Sequence, residues 1–259
     1  MNAINKIVYN YLIPLLGKIN VGKNHFVNVI YYHDIVKGEG QSFMRTNIEV
    51  FKRQMRYIAD NGYKTLRFDD LNDIDNLRFE KKKVVIAFDD GWLSNYTEIF
   101  DFMKLLGIKY NIYLTIGEIG KNPDYLTWDL VRLMHESGLV GFGVHTFTHP
   151  YVADMKDIDP QLEFVQANEV FQMELGYEPM DFCYPYGSCT ETSHEYLTTK
   201  TQYQRIYTSS MKYSYKKNGR IIFGRNGISN DESFGVFKAK LNGLFNIWST
   251  LMSYSRFMK

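Results

Sequence analysis

Between residues 27 and 224 the chain alternates short runs of β-branched and apolar residues with stretches of helical periodicity. Such alternation constrains the fold strongly, because parallel strands need a crossover long enough to return the chain, and a helix supplies it. Strands are expected at Val27 to Tyr32, Val84 to Phe88, Tyr110 to Thr115, Val140 to Val144, Phe182 to Tyr184, Ile206 to Thr208 and Ile221 to Gly224. Helices are expected over Ile48 to Ala59, Asn95 to Leu106, Trp128 to Glu136 and Pro160 to Leu175. Asn61-Gly62, Gly107, Gly138 and Gly176 follow them as stops. A chain of 259 residues suits one α/β domain of barrel size, and no repeat or Pro/Ser-rich linker divides it. The expected organisation is therefore a single domain over 1–259 with its core at about 27–230.

Both ends are amphipathic. Ile4, Ile7, Val8, Tyr11, Leu12, Leu15, Leu16 and Ile19 share one helical face, and Phe234, Phe237, Leu241, Leu244, Phe245, Trp248, Leu251 and Met252 repeat the pattern. Terminal helices are expected at about 3–19 and 231–253. Asn5, Lys6, Asn10 and Pro14 interrupt the first too often for a bilayer span, and it lacks a small-residue cleavage site. These ends could pack on the domain, on another copy or on a membrane surface; packing on the domain of a cytoplasmic protein is the leading expectation, with peripheral membrane association the alternative. Lys+Arg 30 against Asp+Glu 29 gives a net charge of +1, and Lys81-Lys82-Lys83 is a short strand entry, so no nucleic-acid partner is expected. Two cysteines, Cys183 and Cys189, make no disulfide framework.

His33, Asp89-Asp90, His145 and Tyr186 all fall at or just past the carboxyl ends of expected strands. In barrel-like α/β folds that edge carries the active site, so residues distant in sequence would meet there. Adjacent carboxylates after a buried strand are costly without a cation nearby. Two imidazoles four residues apart, His145 and His149, can share a metal, though Pro150 and two β-branched threonines argue for a strand end and turn, not a helix. With Asp90 they form a two-histidine, one-carboxylate set that admits zinc foremost, and also cobalt, nickel or iron. Such a metal polarises a carbonyl and acidifies water, and Asp89 is placed to act as general base. In the aromatic turn Tyr184-Pro185-Tyr186-Gly187, the Tyr186 N–H could meet an oxyanion.

In order and spacing these segments resemble the polysaccharide deacetylase family (carbohydrate esterase family 4, the NodB-homology domain). Ala87 to Gly91 is similar to its Thr-Phe-Asp-Asp-Gly motif, His145, Thr146 and His149 to His-Ser/Thr-x-x-His, and Pro185-Tyr186 to Arg-x-Pro-Tyr. Leu126-Thr127-Trp128 also looks like the family's approach to its histidine motif. The resemblance implies a distorted (β/α) barrel of about seven strands and metal-dependent removal of N-acetyl groups from an amino-sugar polysaccharide, oligosaccharide or glycolipid precursor. It implies Asp89 as base, Asp90, His145 and His149 as metal ligands, and Tyr186 as the oxyanion donor.

Three departures stand out. Cys183 occupies the place of the family's arginine, for which Arg225, at the end of a late strand, could substitute. Ala87 replaces a threonine. No histidine follows His194, so the C-terminal Leu-x-x-His acid is absent. Of the others, His25, His135 and His194 read as surface residues, so His33 is the candidate to protonate the departing amine, with a structural or substrate-binding role as the alternative. Tyr32-His33 itself resembles an N-terminal feature of exopolysaccharide-modifying relatives. The competing expectations are a catalytically silent carbohydrate-binding module on the same fold and, against the βα alternation, a non-haem iron oxygenase.

Overall fold

The computed structural model describes residues 27–40, 43–71, 82–153, 155–211 and 214–246. The expected N-terminal helix, His25, Lys81 and the segment carrying Trp248, Leu251 and Met252 lie outside them.

Strands β1 (Asn28–Tyr32), β5 (Lys83–Phe88), β6 (Tyr110–Leu114), β7 (Val140–Val144), β8 (Asp181–Cys183) and β9 (Arg205–Tyr207) pair in parallel in the order β9-β8-β7-β6-β5-β1. The short β4 (Lys64–Leu66) adds to β5. At one end β11 (Arg220–Phe223) pairs with β9, and β10 (Tyr215–Lys217) folds back on β11. At the other end β12 (Asn226–Gly227) pairs with β1. Only Gly224 and Arg225 separate β11 from β12, so one segment carries both ends of the sheet. The result is a mainly parallel, barrel-like sheet. As a hydrogen-bonded ladder it stays open at this seam. A small separate pair, β2 (Asp34–Val36) with β3 (Arg45–Asn47), follows β1.

Strand side chains alternate, and here both faces are buried. Ile30, Tyr32, Val84, Ile86 and Phe88 pack outward against the helices. Val29, Tyr31, Val85 and Ala87 point the other way, with Tyr113, Cys183, Tyr207 and Phe223, into a second apolar cluster. Strands covered on both faces read as unbroken apolar runs, which is why they stand out in the sequence.

Helix α1 (Ile48–Asp60) is capped by the Asn47 side chain, which accepts from the N–H of Glu49 and Val50. The expected helix over 95–106 is instead broken into α2 (Ser94–Thr97) and α3 (Phe100–Leu105), and the break lets Ile99 and Phe100 both be buried. Helix α4 (Trp128–Glu136) has the expected bounds. The next begins as a π-helical turn (Gln161–Gln166) before α5 (Ala167–Leu175) ends on Gly176 in a left-handed conformation. Helix α6 (Glu191–Lys200) was not anticipated. It overturns the surface reading of His194, which is buried with Nδ1 3.1 Å from the Tyr184 hydroxyl. His135 is likewise half-buried, stacked on Tyr177. Helix α7 (Phe234–Leu241) lies within the expected C-terminal helix. Among the described residues no helix is long and apolar enough to cross a membrane.

Candidate active site

The carboxyl ends of β1, β5 and β7 and the turn after β8 converge on a cleft of about 310 Å³. Tyr31, His33, Asp89, Asp90, His145, His149, Tyr186 and Ser209 line it, with Phe43 and Met44 from the β2–β3 connection. Six of the seven expected site residues are therefore in one cavity; Arg225 lies behind it.

Asp89 continues the inward parity of Val85 and Ala87, while Asp90 leaves the strand at a φ of 77°. Backbone geometry thus separates two adjacent carboxylates. Asp90 Oδ1 lies 3.5 Å from His145 Nε2 and 3.3 Å from His149 Nε2. The Trp92 indole N–H donates to Asp90 Oδ2 at 2.9 Å, and Trp92 is held by a stack on Tyr125. Oδ1 is left buried without a hydrogen bond and aimed at the two imidazoles. His145 Nδ1 is 2.8 Å from the Cys183 carbonyl. A carbonyl can only accept, so Nδ1 carries the proton and Nε2 offers its lone pair toward Asp90. Burial pushes the His145 imidazole down to about 4, although Asp89 and Asp90 pull it up, so it is neutral at neutral pH.

These three residues fit one divalent ion. Ligand atoms each about 2.1 Å from a tetrahedral centre lie roughly 3.4 Å apart, which matches the separations from Asp90 Oδ1. A neutral imidazole held by a carbonyl on its far nitrogen is the usual state of a ligating histidine. Burial raises the Asp90 carboxyl, but the imidazoles that face it, His149 first, outweigh burial and hold it well below the usual carboxylate range.

Asp89 faces a different partner. Arg225 donates to it through both Nη atoms, at 2.6 and 2.9 Å, and through Nε to the Thr208 carbonyl at 3.1 Å. The guanidinium is fully buried, 4.0 Å from the centre of the Tyr31 ring. Burial alone would raise the Asp89 carboxyl; the Arg225 charge and hydrogen bonds outweigh it and hold it below its ordinary value. Cys183, on β8, is buried within electrostatic reach of both Arg225 and Asp89. The guanidinium thus reaches Asp89 from the seam segment and not from β8.

His33 Nε2 is 3.9 Å from Asp89 Oδ2, its Nδ1 is buried with no hydrogen-bond partner among the described residues, and its carbonyl accepts from Asn95 at 3.1 Å. Tyr186 sits at a φ of 57° in a tight turn whose hydrogen bonds come from the Gly187 and Ser188 N–H groups. Its ring packs edge-on to His149 at 4.6 Å and is 68 % exposed. Sequence reasoning missed Trp92, which donates to Asp90, and Glu163, which accepts from the N–H groups of Phe147 and Thr148; no spacing rule marks either, because their partners are fixed only by the fold.

A mainly parallel sheet carries at its carboxyl edge a two-histidine, one-aspartate cluster that could hold a metal ion, beside a separately paired carboxylate. Residues 76–206 match the family described as polysaccharide deacetylase, just over half of the 259 residues, and the chain belongs to that family. It is therefore a carbohydrate deacetylase by family. YxkH of Bacillus subtilis, which carries a polysaccharide deacetylase name, is 25 % identical over 218 residues, 83 % of this chain and 76 % of that one. The poly-β-1,6-N-acetyl-D-glucosamine N-deacetylase of Escherichia coli K12 is 23 % identical over 71 % of this chain, which matches only 34 % of its length. Among solved structures, the Streptococcus pyogenes deacetylase PplD superposes with a TM-score of 0.71 at 20 % identity, covering 81 % of this chain and 95 % of that one. IcaB from Ammonifex degensii gives 0.69 at 21 % identity, covering 85 % and 98 %. These two likenesses speak to the fold.

Proposed function

We propose that the chain hydrolyses the N-acetyl group of an amino sugar carried in a polysaccharide, oligosaccharide or glycolipid precursor, with a divalent cation, zinc foremost, held by Asp90, His145 and His149. The observation that carries the reading is the divergence of two neighbouring carboxylates. Asp90 turns to the histidines, while Asp89, which a binding site for metal alone would not need, is gripped by Arg225 at the same cleft. The cation would polarise the acetamide carbonyl and lower the pKa of water. Asp89, ionised at neutral pH, takes the proton from the attacking water. Arg225 aims that carboxylate and replaces the guanidinium missing at Cys183. The Tyr186 N–H, left aside by its own turn, is the oxyanion donor. His33, 3.9 Å from Asp89, protonates the departing amine. We also take the chain as one domain, since one apolar cluster runs from Ile30 to Leu241.

The test is acetate release from N-acetylglucosamine oligomers with zinc or cobalt, with and without chelator. Asp89→Asn should lower turnover by at least about 1,000-fold, within the span expected for lost acid–base catalysis and charge, and leave zinc affinity largely intact. His33→Ala should lose turnover without losing the metal. Acetate absent from every amino-sugar substrate despite bound metal would instead favour a silent carbohydrate-binding module.

A further inference from the structure

The loop that presents the two histidines is strained. Thr146 and His149 have φ values of 66° and 64°, in the left-handed region that β-branched and bulky residues avoid. Conformations of this kind cost about 1–3 kcal/mol each and persist only where surrounding contacts over-determine them. Some of those contacts are local. Ile116 and Gly117 donate their N–H groups to the carbonyls of Thr146 and Phe147, and the His149 N–H donates to Thr146 Oγ1 at 3.0 Å.

Three further hydrogen bonds converge on one side chain. The N–H groups of Phe147 and Thr148 both donate to Glu163 Oε2, each at 2.9 Å, and the Thr148 hydroxyl donates to Glu163 Oε1. Glu163 is 3 % exposed, and among the described residues it has no salt-bridge partner. A buried carboxylate is ordinarily held by a cation. Here successive backbone N–H groups and a hydroxyl take that part, an anion-binding nest filled from within the chain. The anchor sits on the π-helical turn Gln161–Gln166, a rare form that is frequent at functional sites.

We propose that Glu163 is a positioning residue for the metal pair: its carboxylate locks the 145–149 loop in its left-handed form and so sets His149 against Asp90 before any ion arrives. The inference rests on the metal reading given above. Glu163 touches neither substrate nor ion; it acts through Phe147 and Thr148 on the residue that follows them. Without the anchor the strained loop relaxes, His149 leaves its place 3.3 Å from Asp90, and the ion loses one of its three protein ligands.

The experiment uses the full chain, stripped of metal, as parent, Glu163→Gln, Glu163→Ala and Thr148→Ala. Zinc affinity is measured by competition with a chromogenic chelator, cobalt geometry by its visible absorption, and stability of the metal-free forms by thermal melting. Loss of a residue that orients a ligand typically weakens metal binding about 10- to 100-fold, the loss expected for Glu163→Ala. Glu163→Gln, which keeps one acceptor oxygen, should fall between it and the parent, and the cobalt spectrum should change in both. Combining Glu163→Ala with His149→Ala should weaken zinc no further than His149→Ala alone. A folded Glu163→Ala chain that binds zinc as the parent does, with an unchanged cobalt spectrum, overturns the proposal. Should Glu163→Ala fail to fold, Glu163→Gln and Thr148→Ala decide it in the same way. A parent that binds no zinc overturns the metal reading instead, and the two failures are told apart.

Discussion

Asp89 and Arg225 are 3 % and 0 % exposed, so each is tolerable only because of the other. A bidentate pair of this kind is worth little against an apolar replacement of both, yet breaking it strands a charge at a cost of about 3–5 kcal/mol. Arg225→Met should therefore destabilise the metal-free protein by that order at pH 7, and adding Asp89→Asn should recover most of it, by urea unfolding. The pH dependence has opposite signs in the two chains. In the parent, the Asp89 carboxyl is held below its ordinary value, so its contribution is present above about pH 4 and lost as pH falls through the folded-state value. Without Arg225, burial, the largest influence on that carboxyl, is opposed only by His145 and His33, so Asp89 in the variant should favour folding as pH falls. His145 adds a separate slope. Its imidazole is pushed down to about 4. The unfolded chain thus binds more protons below about pH 6.5, and metal-free stability should decline from there toward pH 4. His145→Gln should flatten that decline. The acidic pair and both histidines were legible in sequence because their chemistry is local. The Asp89–Arg225 contact spans 136 positions and was only one of several places an arginine could go.

Turns at the carboxyl edge do the positioning, and they tolerate little. Gly187 has a φ of 63°, and a Cβ there would fall 2.1 Å from Ser209 Oγ and 2.7 Å from its backbone nitrogen. Gly187→Ala should displace the turn that presents the Tyr186 N–H. Turnover should drop by about 100-fold, the scale of a lost oxyanion donor, with zinc affinity within a few-fold of the parent; equal turnover in the two chains would remove that turn from the mechanism. At this scale the sequence was readable where burial is two-sided or periodicity long, as for β7 and α4. It was not where tertiary contacts override local pattern. The polar surface of α6, with Thr190 as its cap, hides the inward face of His194, Leu197 and Thr198. The break between α2 and α3 answers to the packing of Ile99, which no helical period reports.

Across the molecule, β1, β12 and the C-terminal segment are tied by buried asparagines. Asn226 Nδ2 donates to Asn28 Oδ1 at 3.0 Å and Asn246 Oδ1 at 2.8 Å, and Asn28 Nδ2 donates to the Lys240 carbonyl at 2.7 Å. Asn226→Ala leaves two acceptors short of a donor, and a loss of about 1–3 kcal/mol in urea unfolding is expected. A bound ion should act in the other direction. Zinc at 1,000 times its dissociation constant should add about 4 kcal/mol, so chelator should lower the melting temperature. The seam segment has a consequence in time. Because Arg225 lies between β11 and β12, the partner of Asp89 is synthesised after every described strand but β12. A chain that has assembled Asp90, His145 and His149 but not yet docked this segment still has an Asp89 without its arginine. On the proposed roles, hydrolysis is withheld until the strands on either side of Arg225 dock, so activity itself reports that the seam has formed.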